Sequence, residues 1–362
     1  MKPITAIAIS GGIDSLAAAH LLKSQGHALI GIHFLTGFES AVPNPNEAFD
    51  PFQTAKRKLS AVTAQLNIPI KILDCRDQFK TCVVDYFIRT YRSGQTPNPC
   101  LICNPAIKFG TVLGAAQRLG ADRLATGHYA RTYKDETGRF RLLKGRDPLK
   151  DQSYFLAMLD QCRLESAVFP LGDMTKKEVI EHARTNGLRP IEKNESQDIC
   201  FIKGGSYGDF LMTLENFQPA PGPITDINGR YLGMHPGLHL FTVGQRRGIN
   251  CPAPQPYYVL RLDTANNRLV VGVKSDLLSS ECRVKDINWI ISPPQTPFRA
   301  RTRLRYRHRE AESLVIPEGD HSAIVRFDVS QEAITPGQGA VFYVNNEVFG
   351  GGRISAEHEN PL

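Results

Sequence analysis

The hexapeptide Ser10-Gly11-Gly12-Ile13-Asp14-Ser15 stands between a short apolar run and a helix-forming one. Glycines at such a junction let the backbone turn tightly and approach an anion, while exposed N–H groups and the following helix dipole supply positive potential. No Gly-Lys-Ser/Thr closes it as in a Walker A loop, and it is not the dinucleotide G-x-G-x-x-G. An ordinary glycine turn capped by Asp14 or Ser15 would use similar residues. Asp and Ser at these offsets, directly after a first strand, favour a phosphate-binding loop.

A second segment, Thr96-Pro97-Asn98-Pro99-Cys100-Leu101-Ile102-Cys103-Asn104-Pro105-Ala106-Ile107-Lys108-Phe109, carries two thiols. Its prolines predict an extended approach and a helix beginning near Pro105, which would put Cys103 near a helix N-terminus, where a thiol loses its proton more readily. A C-x-x-C is by itself a redox pair or half of a zinc site, and a second close pair for zinc is absent. A third thiol lies in Glu195-Ser196-Gln197-Asp198-Ile199-Cys200-Phe201-Ile202; alone, Cys200 between Ile and Phe reads as buried core.

These segments need a scaffold. A strand at Ile4–Ile9, a helix at Ser15–Lys23 stopped by Gly26 and a strand at Leu29–Phe34 make a βαβ unit. The rhythm continues with helices at Phe52–Leu66, Phe79–Arg92 and Lys108–Leu119 and strands at Ile68–Leu73 and Arg123–Thr126. The expectation is an α/β doubly wound parallel sheet over residues 1–205. From Gly204 on, dense Pro and Gly predict strands and loops: a small mixed linker domain over 206–280, then a barrel-like all-β domain over 281–362, with strands at Phe298–Glu310, His321–Phe327 and Ala340–Val344.

A chain of 362 residues, 41% hydrophobic and 22% charged, builds a real core and more than one domain. That composition excludes disorder and collagen, and eight cysteines in so long a chain exclude a disulfide-stapled miniprotein. No apolar run approaches the roughly 20 residues of a membrane helix, and no signal peptide precedes Ser10. A cytoplasmic protein with reduced cysteines and no membrane partner is expected.

Thr126-Gly127-His128-Tyr129-Ala130, Lys150-Asp151-Gln152-Ser153-Tyr154-Phe155 and Gly244-Gln245-Arg246-Arg247-Gly248 place polar residues and glycines at the ends of apolar segments, where open α/β sheets bind ligands. The Ser10–Ser15 loop resembles the pyrophosphate loop of ATP pyrophosphatases, which cleave ATP between the α and β phosphates. With Thr96–Phe109, Ser196–Ile202 and Gly244–Gly248 it resembles, over nearly the whole chain to Thr335-Pro336-Gly337-Gln338, the bacterial tRNA-specific 2-thiouridylases.

The resemblance implies ATP-dependent 2-thiolation of uridine 34 in tRNA, with magnesium on the ATP phosphates and a sulfur-donor protein, a cysteine desulfurase or a sulfur relay protein, as partner. It implies that Ala8, Ile9, Ser10, Gly11, Gly12, Ile13, Asp14, Ser15, Phe34 and Gly127 hold ATP. Cys200 would carry a persulfide and Cys103 would be the nucleophile that pairs with it in a disulfide. His128, Lys150, Asp151, Gln152, Arg305, Tyr306 and Gln338 would touch tRNA, with Asn98, Pro99 and Cys100 against the target base. Many members of the family carry Asp where this chain has Cys100. A cysteine, with a reference pKa of about 8.5 against about 3.9, cannot replace that acid at neutral pH. An alternative route would have Cys100, Cys103 and Cys200 ligate a [4Fe–4S] cluster with one iron open to sulfide.

Phe298–Glu310 carries arginine at every second position from Arg299 to Arg309. On one strand these would share a face, either tracking RNA phosphates or meeting acids on a neighbouring strand. Rival readings are a small-molecule ATP-pyrophosphatase synthetase, an RNA-binding protein with a vestigial loop, and a thiol-redox protein.

Overall fold

The computed structural model describes residues 3–39, 50–191, 199–202, 205–213 and 217–356. The chain divides into two compact units, residues 1–83, 100–203 and 345–349, and residues 84–99, 204–344 and 350–362.

In the first unit β1 (Ile4–Ala8), β2 (Ala28–Leu35), β3 (Ile70–Asp74), β4 (Ala121–Ala125) and β7 (Ala167–Val168) form a parallel sheet in the order β3-β2-β1-β4-β7. A hairpin of β5 (Ala130–Lys134) and β6 (Phe140–Lys144) pairs with Glu347 and Val348. Strand order reverses on either side of β1, so the crevice for a ligand opens at the C-terminal ends of β1 and β4. Helices α1 (Ile13–Ser24) and α2 (Pro51–Leu66) connect the first strands. Asp50 caps α2 by accepting from the N–H groups of Phe52 and Gln53, and Pro51 occupies the first turn, where no donor is lost. Leu16 and Leu22 of α1 and Val62 of α2 pack with Ile7 and Ile9 in one core.

The other expected strands and helices of this unit are present, but the helix expected over Phe79–Arg92 is π-helical at Lys80–Val84 and its Asp85–Arg92 part falls in the second unit; a further change concerns the helix after it. The helix expected from Pro105 begins at Pro99 and runs to Arg118, with a π-helical stretch, Asn104–Val112, in its middle. Pro105 cannot donate to a carbonyl one turn back and its ring crowds that carbonyl, so the helix widens there. Gly110 makes the widening possible, because a Cβ on it would lie 2.8 Å from the Pro105 carbonyl oxygen. That oxygen accepts from Arg163 Nε at 3.0 Å. This 20-residue helix, α4, also corrects the expectation that no segment is long and apolar enough to span a membrane. It passes by length and composition, yet half of that stretch is buried, with Ile107, Phe109 and Val112 at most 1% exposed.

The second unit holds two sheets. β8 (Gly222–Thr225), β9 (Tyr231–His235), β10 (Tyr258–Asp263) and β11 (Arg268–Gly272) align as β10-β11-β8-β9 around Ile224, Phe241, Val259 and Leu269. β12 (Leu278–Trp289), β13 (Phe298–Arg303), β14 (Ala311–Pro317), β15 (Ala323–Glu332), β16 (Gly339–Val344) and the end of β17 (Glu347–Ile354) follow one another as β12-β15-β14-β13-β16-β17. Pairing of β12 with β17 closes them into a six-stranded barrel. Helix α3 (Asp85–Arg92) belongs to this unit, with Tyr91 stacked on Tyr207 at 4.8 Å.

The arginine strand is shorter than expected. β13 ends at Arg303, and residues 304–308 turn. Arg299 pairs with Asp328, and Arg301 and Arg303 both face Glu310, so these three meet acids rather than offering a bare cationic track. Arg305, Arg307 and Arg309 are exposed beyond the strand.

Candidate active site

At the end of β1 the chain turns through Gly11, whose φ of +89° suits glycine, and Gly12 caps α1. Ser15 Oγ donates to the Gly12 carbonyl at 2.9 Å, and Ser10 Oγ lies 3.2 Å from Ser15 Oγ. The loop is thus self-braced, with Ser10 exposed and Gly12, Ile13 and Asp14 half-buried. Gly127 abuts it: a Cβ there would meet Asp14 C at 3.0 Å and Ser15 N at 3.1 Å. Ala8 and Ile9 lead into the loop, and His33 Nδ1, beside Phe34 on β2, contacts the Ile9 carbonyl at 2.8 Å.

Two side chains that sequence reasoning missed complete this end. Lys176 Nζ donates to both carboxylate oxygens of Asp14, at 2.8 and 2.9 Å, and Tyr129 Oη donates to Asp14 Oδ1 at 2.7 Å. Lys176 opens helix α5 (Lys176–Thr185), whose first turn is fixed by a capping box between Thr175 and Glu178. The residues around Thr175 carry no phosphate signature, although Thr-x-x-Glu does mark the helix start.

Cys100 and Cys103 lie on the long helix α4, Cys103 just before its π stretch. The expectation that a helix N-terminus would lower the Cys103 pKa is overturned. Burial pushes this thiol up to about 12, with Lys108 alone pulling down and Cys200, Cys100 and Cys75 pushing further up. Burial likewise pushes Cys100 up to about 11, Cys200 adding to it. Cys200 thus acts electrostatically on both thiols of α4. Cys200 is not the core residue its neighbours suggested: it is exposed, while Phe201 beside it is 3% exposed. Phe201 packs on Phe38 and Phe79 at ring distances of 5.8 and 5.7 Å, and the Ile202 N–H closes a turn on the Ile199 carbonyl, which presents Cys200. Glu195 to Asp198 of that motif lie outside the described residues.

Lys108 Nζ donates to His128 Nε2 at 3.2 Å, and His128 Nδ1 meets Thr126 Oγ1 at 2.7 Å. An ammonium only donates, so Nε2 accepts and the ring proton sits on Nδ1. Burial holds His128 neutral, well below its ordinary pKa. Asn104 donates to the Phe155 carbonyl at 2.9 Å, leaving its buried Oδ1 without a partner among the described residues.

The remaining expected RNA contacts divide. Asp151 is buried and accepts from the Gly145 and Ser153 N–H groups, and Gln152 accepts from the Tyr129 N–H, so both brace the fold. Lys150 is half-buried next to exposed Leu149. Asn98 and Pro99 are buried. In the second unit Gln338 Nε2 donates to the Thr96 and Pro97 carbonyls at 3.2 and 3.0 Å, tying down the run-in to Asn98. Arg305 is exposed on the turn and Tyr306 is half-buried there.

All eight cysteines are free thiols. Among the described residues no group of three His, Cys, Asp or Glu could hold a metal ion, so Cys100, Cys103 and Cys200 do not make the ligand set that a [4Fe–4S] cluster requires. For magnesium the fit differs, because that ion keeps waters and binds mainly through substrate phosphates. Asp14 is the carboxylate at the loop.

A parallel sheet with a glycine loop at its switch point, followed by two β modules, is an architecture that nucleotide-dependent α/β enzymes use. Residues 4–204 match a model described as the tRNA methyl transferase HUP domain, residues 209–273 its PRC-barrel domain and residues 279–354 the aminomethyltransferase beta-barrel domain. A tRNA-specific 2-thiouridylase of Desulfosudis oleivorans is 51% identical over 98% of this chain and 96% of its own length. Those of Geotalea uraniireducens and a Nostoc species are 43% and 41% identical, over 96% and 98% of this chain and 94% and 99% of theirs. The chain belongs to the tRNA-specific 2-thiouridylase family.

Proposed function

We propose that this protein makes 2-thiouridine at position 34 of tRNA, using ATP to activate the base and a cysteine persulfide to deliver sulfur. What supports the reading most is the 51% identity to a tRNA-specific 2-thiouridylase over 98% of the chain, in a unit that holds the Ser10–Ser15 loop together with Cys100, Cys103 and Cys200.

Uridine O2 attacks the α-phosphorus of ATP, giving an O2-adenylated base and pyrophosphate. The target must leave its stack to present O2. Cys200, loaded as a persulfide by a cysteine desulfurase or a sulfur relay protein, supplies sulfur at C2. Attack of the Cys103 thiolate on Cys200 Sγ forms the Cys103–Cys200 disulfide and releases hydrosulfide, which adds at C2 as AMP departs with O2. A dithiol reductant then returns two electrons to the disulfide. Cys103, like Cys100, is protonated at rest, so the thiolate that this attack requires is a minor form, and Lys108, five residues further on, is the group that favours it. Cys100, protonated at neutral pH, does not act as a base. Magnesium would sit on the ATP phosphates near Asp14 and neutralise charge there. Free thiols throughout favour a reducing, cytoplasmic setting.

The test is mass spectrometry of nucleosides from tRNA incubated with the protein, ATP, magnesium and sulfide. Wild type should yield 2-thiouridine, with Cys200→Ser and Cys103→Ser yielding none when a persulfide donor replaces sulfide. AMP production without tRNA would favour a small-molecule synthetase, and no pyrophosphate release with any tRNA would favour a non-catalytic RNA binder.

A further inference from the structure

The two helices that meet at the nucleotide loop, α1 and α5, touch at a second point. His20 Nδ1 of α1 lies 3.0 Å from His182 Nε2 of α5, the rings meeting edge to face with centroids 5.0 Å apart. The first point is the pair of Lys176 with Asp14. His20 stands six residues beyond Asp14 and His182 six beyond Lys176, about 9 Å of rise along each helix. Val179 and Ala183 of α5 share one core with Leu16 and Ala17 of α1. Neither histidine takes part in the chemistry proposed above.

An imidazole nitrogen either donates or accepts, so a hydrogen bond between two rings needs one of them neutral. Burial first, then His182 and then the ammonium of Lys23 push His20 below its ordinary pKa. The charged groups of the surrounding elements do not offset a second positive charge. On α1, Lys23 is exposed and donates to the Leu66 carbonyl at 2.7 Å. On α5, Glu178 and Glu181 are engaged by Arg146 and Arg184. Helix α2, also packed on α1, carries Lys56, Arg57 and Lys58 and no carboxylate. Strands β1 and β2 carry only His33, which is bonded to the Ile9 carbonyl. Two charged rings would therefore face each other as cations.

We propose that His20 and His182 are positioning residues for ATP: their hydrogen bond fixes α5 against α1 and so holds the Lys176 ammonium on Asp14 at the phosphate loop. Apolar packing is non-directional, whereas a hydrogen bond weakens steeply when it bends, so the imidazole pair fixes a register that the core alone leaves adjustable. Acid undoes it. As pH falls through and below about 6.5 both rings take up protons, the bond becomes a repulsion, and Lys176 loses its hold on Asp14. The effect on ATP rests on the reading of Ser10–Ser15 as the ATP seat, whereas the hold on Lys176 does not.

Titration calorimetry with a non-hydrolysable ATP analogue tests this on His182→Leu, on the amide mimics His20→Asn and His182→Gln, and on Lys176→Met with and without His182→Leu. His182→Leu should raise the Kd roughly fivefold at about pH 7.5, but less than about twofold in the Lys176→Met background, because it acts through that lysine. The two amides keep a donor and an acceptor near the lost ring nitrogens and take up no proton, so they should recover most of the affinity. Between about pH 7.5 and 5.5 the wild-type Kd should rise, and the rise should be at least roughly threefold smaller in both amide variants. Equal losses from His182→Leu in the two backgrounds, or one pH profile shared by wild type and both amides, would overturn the proposal. Acylation of Lys176 by an amine reagent at fixed pH, read by peptide mass spectrometry, follows the hold on the lysine without nucleotide and should be several-fold faster in His182→Leu than in wild type. If wild type bound no ATP analogue, the loop reading would fail and acylation would decide: equal rates in wild type and His182→Leu would overturn the positioning role.

Discussion

Lys176 Nζ sits 2.8 and 2.9 Å from the two carboxylate oxygens of Asp14, across 162 residues of sequence. The pair is only partly open to solvent, the Lys176 side chain being 11% exposed and that of Asp14 33%. A carboxylate at a phosphate loop would repel ATP, and this lysine cancels it. Lys176→Met should therefore raise the Kd for ATP roughly tenfold, the order expected of a partly desolvated charge pair, and leave tRNA binding unchanged. Adding Asp14→Asn should restore part of the loss, because the two substitutions couple. Titration calorimetry with a non-hydrolysable ATP analogue measures both, and additive losses would refute the electrostatic account.

Why the loop was legible and the lysine was not follows from locality. Ser10 to Ser15 carry turn, cap and acid within six consecutive residues, so the glycine turn that ends β1 and opens α1 can be read locally. Lys176 reaches Asp14 only through the packing of α5 on α1, and no local pattern marks it. Pro105 misled because a proline normally starts a helix, whereas here Pro99 starts it and Pro105 widens it. The arginine run misled for a related reason: residues 304–309 contain no Gly, Pro, Asn or Asp, so nothing announced the turn that ends β13.

That turn changes which arginines should matter to RNA. Arg301 and Arg303 are engaged by Glu310, and reversing their charge would break those pairs. Arg305, Arg307 and Arg309 are exposed. Replacing all three by Ala should lower the slope of log K against log salt for tRNA by about two, at roughly 0.7–0.9 for each phosphate no longer neutralised. Filter binding between about 50 and 200 mM salt reads this, and an unchanged slope would show that the turn is idle.

The thiols make a pH prediction. Burial lifts Cys103 to about 12 and Cys100 to about 11, so both are protonated at neutral pH. Against a free cysteine near 8.5, the thiolate fraction of Cys103 at about pH 7.5 falls roughly a thousandfold, and alkylation by iodoacetamide should slow accordingly. Lys108→Met should slow it further, since Lys108 is the group that favours the thiolate. For stability the sign is definite. An acid whose folded pKa is raised lends stability fully present below about pH 8.5, which is lost as pH rises towards about 11 to 12. Denaturant midpoints should accordingly fall across that window, less steeply in Cys103→Ala. Cys103 alkylation as fast as that of a free thiol near neutral pH would contradict the raised pKa of this half-buried thiol.

Cys200 is presented by its neighbour rather than by its own surroundings. Phe201, 3% exposed, fills the space between Phe38 and Phe79, and the turn closed by Ile199 and Ile202 leaves Cys200 outward. An aromatic anchor of this kind is worth several kcal/mol in a core, about 3–5 for Phe→Ala, but in a surface turn its loss shows mostly as local disorder. Phe201→Ala should speed hydrogen exchange at residues 199–202 by at least roughly tenfold and lower thiolation turnover by a similar factor. ATP and tRNA affinities should stay within about twofold. Phe201→Leu, which keeps an apolar anchor, should recover most of the turnover. If exchange at 199–202 quickened while turnover held, the position of Cys200 would not limit sulfur delivery, and the aromatic cluster would serve stability alone.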